Sequence, residues 1–183
     1  TFESINPATG EVVGIFPVTT AKEVNEAVAR AQTAADQWSN LSFRKRLVVL
    51  RDWASLLTRE MNTAAELIHR ETGKPTSDAT LEMALAIEHI SWAAKFAPKV
   101  LSPQNRPSGL LMFNMASQVQ RVPYGVVGVI GPWNYPMFTP MGSIAYALAA
   151  GNTVVFKPSE FTPGIGAWLG ETFNRIAPFS DIF

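Results

Sequence analysis

The most constraining feature of the sequence is a run from Val122 to Phe156 that contains no Asp, Glu, Lys or Arg. Such a run must be buried on most sides, and its glycines and prolines divide it into short elements. The pattern predicts a strand at Val126 to Ile130, a helix at Met137 to Ala150 and a second strand at Thr153 to Phe156. Two β-branched strands joined by an Ala-rich helix are typical of a βαβ unit, in which the strands are parallel.

A pair of membrane-spanning helices is the alternative interpretation of this run. Gly131-Pro132 and Pro136 interrupt it, however, and leave apolar segments of about a dozen residues, whereas a spanning helix needs about 20. We therefore expect a buried core and no membrane segment. With 183 residues, 47% of them hydrophobic, and a net charge of zero, the chain can bury a sizeable core and shows no charge excess that would indicate a nucleic-acid partner.

The chain contains no cysteine. This excludes disulfides, thiolate metal sites and a Cys nucleophile within these residues, and it is consistent with a reducing compartment. The two histidines, His69 and His89, have no second His or spaced carboxylate that would complete a metal site, so we expect no metal. Because the chain also shows no signal-peptide pattern, we expect a cytoplasmic protein.

The residues before the uncharged run predict a hairpin followed by a layer of helices. Asn6 to Gly10 supplies the Pro and Gly of a tight reversal between two short strands. Thr20 and Glu23 form a capping box for the first helix, whose predicted buried face is Val24, Val28, Ala31, Ala35 and Trp38. Apolar stripes predict three further helices, which begin at about Ser42, Asn62 and Ser77.

Proline and glycine set the boundaries of the later elements. Gly73 and Pro75 end the third helix, and Pro98 interrupts or kinks the fourth after Ala97. Thr162 followed by Pro163 predicts the start of a last helix, with Thr162 as its N-cap.

Between the fourth helix and the uncharged run lies a region with two interpretations. Ser102 to Gly109 reads as a connector, and Leu110 to Asn114 and Gln118 to Val122 as two strands of an extended hairpin. The residues alone fit either a local edge hairpin or an arm that contacts another subunit.

Polar residues follow both predicted parallel strands. Trp133-Asn134-Tyr135 comes after the first strand, and Lys157-Pro158-Ser159-Glu160 after the second. In open parallel sheets, ligands bind beyond the carboxyl ends of the strands, so the two segments are expected to face one cleft.

The motif GPWNYP, followed at this interval by GNTVVFKPSE, resembles the aldehyde dehydrogenase superfamily, and the similarity runs along the whole chain as the N-terminal portion of that family. The resemblance implies an incomplete α/β fold: a Rossmann-like parallel sheet with helices on both faces, an N-terminal hairpin, a helical layer and a β-hairpin arm that joins subunits. Residues 1–101 would form the hairpin and helical part of the cofactor-binding domain, 102–122 the connector and oligomerisation hairpin, and 123–183 the first βαβα. The catalytic domain would lie outside the chain.

Asn134 is the candidate catalytic residue. On the turn after a buried strand, its side-chain N–H could donate to a carbonyl oxygen that becomes negative during attack. The residues fit equally well a structural role, in which Asn134 caps the following helix or shapes the turn. The resemblance implies the first role, because the Asn of this motif lies in the oxyanion site of the family.

The candidate cofactor-binding residues lie on both strand ends. By the resemblance, Lys157 and Glu160, with Pro158 and Ser159 between them, would hold the adenosine ribose of NAD, with NADP as the alternative cofactor. The residues alone favour an exposed ion pair over a ribose site. Small or rigid residues let a dinucleotide approach the end of the first strand. We therefore expect Ile130, Gly131 and Pro132 to belong to the same site, with Trp133 as a wall of the pocket.

A G-x-G-x-x-G fingerprint is absent, because Gly125, Gly128 and Gly131 are evenly spaced within a strand. The nucleophilic Cys and the water-activating Glu belong to later segments of the resembled family. We therefore expect the N-terminal part of an oligomeric enzyme, a dimer or tetramer, that oxidises an aldehyde with NAD(P)⁺ through a thiohemiacetal on a Cys outside this chain. The alternatives are part of an acylating reductase of the same superfamily and a non-catalytic nucleotide-binding or oligomerising module.

Overall fold

The structure, a computed structural model, describes residues 1–183 and contains six strands and six α-helices. The strands are β1 (Phe2–Ile5), β2 (Val12–Phe16), β3 (Gln104–Arg106), β4 (Ser117–Val119), β5 (Val126–Ile130) and β6 (Thr153–Lys157). The helices are α1 (Ala21–Asn40), α2 (Phe43–Arg59), α3 (Met61–Thr72), α4 (Thr76–Leu101), α5 (Phe138–Ala150) and α6 (Pro163–Asn174).

The predicted βαβ unit is confirmed. Strands β5 and β6 are parallel, with Val126 opposite Thr153 and Ile130 opposite Lys157, and α5 connects them. Helix α5 ends at Gly151, whose φ of 96° is a left-handed value that glycine adopts without strain. Both α1 and α5 contact this sheet, so its two strands are anchored to the helical layer.

The N-terminal hairpin and the start of α1 also match the prediction. Strands β1 and β2 are antiparallel, and both hydrogen bonds of the capping box between Thr20 and Glu23 are present. The predicted buried face is only partly correct: Ala31, Ala35 and Trp38 are buried, but Val24 and Val28 are exposed.

One continuous apolar core joins helices α1 to α6 to the parallel sheet. Trp38 and Trp53 lie fully inside it, and their indole N–H groups donate to Leu148 O at 3.0 Å and to Thr172 Oγ1 at 3.1 Å. Each buried tryptophan therefore links two distant helices without leaving its polar atom unpaired.

Helix α4 is longer than predicted. Pro98 lies inside it and does not end it, because Leu101 is its last residue and Ser102 N–H donates to Pro98 O at 3.2 Å. Pro98 cannot donate to the carbonyl four residues before it, but the helix continues for three further residues. Leu81 and Trp92 are exposed on this helix, whereas Glu82 is buried.

The predicted arm has different strands. The hairpin is formed by β3 and β4, and Leu110–Met112, predicted to be extended, is a 3₁₀ turn. Pro107 and Gly109, with its φ of 82°, change the chain direction before Leu110, so the apolar tip cannot continue as a strand. No helix of the chain combines the length and apolarity needed to cross a bilayer.

Candidate functional site

The carboxyl ends of β5 and β6 lie side by side and bring together several predicted site residues. Ile130 is the register partner of Lys157, and Gly131 N–H donates to Lys157 O at 3.0 Å. A Cβ atom on Gly131 would lie 2.9 Å from the Phe156 ring, so a larger residue at this position would require that ring to shift. The first strand end and the KPSE segment are therefore directly adjacent.

The segment Lys157-Pro158-Ser159-Glu160 forms a compact turn. Lys157 Nζ lies 3.6 Å from Glu160 Oε2 and donates to Pro158 O at 3.0 Å, and both charged side chains are exposed. Ser159 is buried, and its hydroxyl accepts from Phe161 N–H at 3.3 Å. A hydrogen bond with its own backbone, followed by the Lys157 ammonium, lowers the pKa of Glu160. The turn therefore presents one cation and one anion to solvent at the strand end.

This turn borders a cleft of about 1080 Å³ that runs beside β6, between the N-terminal hairpin, α1 and α6. The four residues of the turn line it, and Phe16, Val24 and Phe156 contribute to an apolar wall. Its volume is close to the upper end of the range for small-molecule and cofactor sites. The residues at the end of β5, Ile130 to Trp133, do not line this cleft, so the expectation that both segments face one cleft is not met. The predicted cofactor residues fall into two adjoining groups.

Asn134 lies on the turn between β5 and α5, with an exposed side chain. Its main-chain oxygen accepts a hydrogen bond from Lys74 Nζ at 2.7 Å. The capping alternative does not describe this structure, because the N–H groups that begin α5, those of Met137 and Phe138, donate to Glu82 Oε1 at 2.9 and 3.2 Å. The Asn134 amide is thus accessible. The neighbouring Trp133 is 54% exposed.

Glu82 and Lys74 were missed by the sequence analysis. The Glu82 side chain is fully buried on α4 and ion-paired with Lys74 Nζ. Lys74 Nζ also lies 4.3 Å from the ring centroid of Tyr135, within the range of a cation–π contact. The signal that could have revealed Glu82 is its position, because a charged residue in register with the buried Ala79, Met83 and Ala86 cannot remain without a partner.

Helix α6 is capped in a similar way by Glu71. Gly164 N–H and Ile165 N–H donate to the Glu71 carboxylate at 2.8 and 2.9 Å, and Ser4 Oγ donates to it at 2.8 Å. Burial raises the pKa of Glu71, and these three donors oppose that rise. Thr162 lies at the predicted N-cap position, but its buried hydroxyl has no hydrogen-bond partner. The position of the cap was therefore predicted correctly, and the capping side chain was not.

Neither histidine lies in a group of potential metal ligands. His69 Nδ1 lies 2.7 Å from Lys74 O, and His89 Nδ1 lies 2.9 Å from Tyr146 Oη. No group of three or more His, Cys, Asp or Glu side chains could hold a metal ion.

Comparisons with known proteins give a consistent result. The chain is 42% identical over 177 residues to N-succinylglutamate 5-semialdehyde dehydrogenase of Burkholderia orbicola, a match that covers 95% of this chain and 35% of that protein. The chain thus spans about a third of the length of the curated relatives it matches.

Solved structures of dehydrogenases also match nearly the whole chain. The NADP-dependent glyceraldehyde-3-phosphate dehydrogenase of Bacillus halodurans, complexed with NADP, matches with a TM-score of 0.91 and 31% identity over 99% of this chain and 38% of that one. A methylmalonate-semialdehyde dehydrogenase of Sinorhizobium meliloti, complexed with NAD and described as putative, matches with a TM-score of 0.92 and 28% identity over 99% of this chain and 36% of that one. The sequence model of the aldehyde dehydrogenase family matches residues 1–178, nearly the whole chain, and the chain therefore belongs to the aldehyde dehydrogenase family.

Proposed function

We propose that this chain is the amino-terminal part of an enzyme that oxidises an aldehyde to a carboxylic acid with NAD(P)⁺, through a thiohemiacetal on a Cys outside these residues. The observation that carries the proposal is the adjacency of two turns, that of Asn134 and that of Lys157 to Glu160, at the carboxyl ends of neighbouring parallel strands. On this proposal, residues 1–101 and 123–183 belong to the cofactor-binding domain, and 102–122 form its oligomerisation hairpin.

The residues at the β6 end fit a nicotinamide nucleotide. The exposed Lys157 and Glu160 provide a donor and an acceptor for ribose hydroxyls, and the apolar wall of the cleft suits a flat base. Pro158 and Ser159 keep these two side chains on one turn, while Ile130, Gly131, Pro132 and Trp133 form the neighbouring surface. When bound, the nucleotide supplies the acceptor for a hydride from the substrate carbon.

Asn134 would act on the substrate. Its exposed amide can donate to the carbonyl oxygen as negative charge develops there. Because the turn is already formed, this donor needs no rearrangement during the reaction. The donor stabilises only the attacked state, so its contribution is to the rate and not to the binding of the nucleotide.

The arm is the region that would join subunits. Leu110, Leu111 and Phe113 at its tip are 90%, 93% and 86% exposed. Adjacent apolar side chains this exposed are typical of a surface covered by another molecule. A second copy of the same protein, giving a dimer or tetramer, is the proposed partner.

The test uses the enzyme that carries this chain, incubated with NAD⁺ or NADP⁺ and an aldehyde panel that includes the semialdehydes oxidised by its relatives. We expect reduced nicotinamide and the carboxylic acid to form in equal amounts. Nucleotide binding without any acid would instead support a non-catalytic module. Product formation that requires coenzyme A or phosphate would support an acylating reductase.

A further inference from the structure

The turn that carries Asn134 is held from both sides by one ion pair. Lys74 Nζ donates to the main-chain oxygen of Asn134, and Glu82 Oε1 accepts the N–H groups of Met137 and Phe138. Since Glu82 Oε2 is paired with Lys74 Nζ, the two contacts form one connected unit. The unit holds the middle of the turn, at Asn134, and the start of α5 at the same time.

The unit is shielded from water. The side chain of Lys74 is 16% exposed and that of Glu82 is 0% exposed. In such surroundings, charge-assisted hydrogen bonds are stronger and more directional than on the surface, because water does not compete for the donors and acceptors. Lys74 in addition lies over the Tyr135 ring, which fixes the residue after Asn134.

Asn134, in contrast, is exposed, and Lys74 holds it by a hydrogen bond to its main-chain oxygen. The position of its amide is consequently set through the backbone of the turn. A backbone shift of about 1 Å at such a group can reduce turnover by up to about a hundredfold.

We propose that Lys74, supported by Glu82, is a positioning residue for Asn134: its ammonium group holds the turn so that the Asn134 amide points at the substrate oxygen. The inference rests on the proposed function, since it requires Asn134 to act on a substrate. In this role Lys74 needs no contact with substrate or nucleotide, because its effect passes through the Asn134 backbone.

A double-mutant cycle in the enzyme that carries this chain tests the proposal. Lys74→Met keeps an unbranched side chain beside Tyr135 but removes the donors. We expect it to lower kcat by about ten- to a hundredfold, with KM for the nucleotide changed by less than about twofold. If Lys74 acts through Asn134, the double variant Lys74→Met/Asn134→Ala will be within about twofold of Asn134→Ala alone.

Three further variants separate positioning from stability. Lys74→Arg, which retains a cation and donors, is expected to recover part of kcat. Glu82→Gln is expected to show the same non-additivity with Asn134→Ala, which keeps the test decisive if Lys74→Met folds poorly. Glu71→Gln alters a buried carboxylate that caps α6 and does not contact the Asn134 turn, so its effect on kcat should multiply with that of Asn134→Ala.

Hydrogen exchange gives a readout that does not depend on activity. Backbone amides of a peptide spanning residues 133–141 should exchange faster in Lys74→Met than in wild type, and should be unchanged in Lys22→Met, a surface lysine on α1. Unchanged exchange, or effects of Lys74→Met and Asn134→Ala that multiply, would overturn the positioning role alone. An Asn134→Ala variant with undiminished kcat would overturn the proposed role of Asn134 and this inference together.

Discussion

Two exposed side chains, Asn134 and Glu160, carry the proposed chemistry, and neither is held by burial. The position of Asn134 is set by the hydrogen bond from Lys74 to its main-chain oxygen. The position of Glu160 is set by a hydrogen bond with its own backbone and by the nearby Lys157. Exposure leaves both groups accessible to a ligand, and it also means that removing either will have little effect on folding. Substitutions here therefore report on function more directly than substitutions in the core.

Asn134→Ala should lower kcat roughly a hundredfold or more, because the lost donor acts on charge that exists only after attack on the carbonyl. The KM for the nucleotide should change little. Steady-state kinetics on the enzyme that carries this chain measure both quantities. Asn152→Ala is a matched control: Asn152 is buried and accepts from Tyr124 and Gly125 N–H, so its loss should lower thermal stability and leave kcat nearly unaffected. A fall in stability alone for Asn134→Ala would contradict the assignment.

The same enzyme should prefer NAD over NADP, since a Glu160 carboxylate beside the ribose would repel the additional phosphate of NADP. Glu160→Gln removes this charge and should narrow the ratio of kcat/KM for the two nucleotides by about tenfold. Glu26→Gln, which alters a surface ion pair on α1, should leave the ratio unchanged. Equal kcat/KM values for the two nucleotides in the wild type would rule out this role for Glu160.

At the scale of elements, helices α5 and α6 are capped in the same way. Each begins without a side-chain cap of its own, and in each a buried carboxylate from the helical layer accepts the first free N–H groups: Glu82 for α5 and Glu71 for α6. A carboxylate at this end of a helix satisfies N–H groups and complements the positive end of the helix dipole. These contacts join α5 to α4 and α6 to α3.

Glu71→Ala should lower the free energy of unfolding by roughly 1–3 kcal/mol, because it leaves the N–H groups of Gly164 and Ile165 without their acceptor. Thr162→Val is the comparison at the same helix end. It replaces a buried hydroxyl that has no partner by a methyl group of similar shape, and should change stability by less than about 0.5 kcal/mol or increase it. Denaturant unfolding of both variants distinguishes the two caps. A larger loss for Thr162→Val than for Glu71→Ala would show that Thr162 is the true cap.

At the scale of the whole molecule, the parallel sheet has only two strands. Strand β6 makes one further backbone hydrogen bond, in which Val154 N–H donates to Ile182 O at 2.9 Å. At the other strand, Ile130 is 80% exposed beside the site. Strands with unpaired edges readily associate with other chains.

The 183-residue chain on its own should not oxidise aldehydes, even if it folds and binds a nucleotide. The proposed mechanism needs a thiolate to attack the carbonyl, and the chain contains no cysteine, so no charge develops for Asn134 to stabilise. The purified chain is assayed with the aldehyde panel and both nucleotides, while light scattering records its expected self-association. Steady turnover after removal of every trace of longer enzyme would require a mechanism without cysteine.

What the sequence alone determined is local in origin. The βαβ unit, the capping box at Thr20 and the helix stop at Gly73 depend on residues a few positions apart, so periodicity and turn chemistry were sufficient to predict them. The adjacency of the two site turns also followed, because the ends of parallel strands meet at one edge of the sheet.

Only the tertiary structure decided which groups hold those turns. Glu82 accepts an N–H group 55 residues later at the start of α5, and Glu71 accepts one 93 residues later at the start of α6, so no local pattern contains either contact. The arm was misassigned for the same reason, since the partner of β4 is the short strand β3, 13 residues back in the chain, and not the apolar segment next to it. The sequence placed Asn134 on its turn by local chemistry, whereas Lys74 and Glu82 reach that turn only because folding packs α4 against α5.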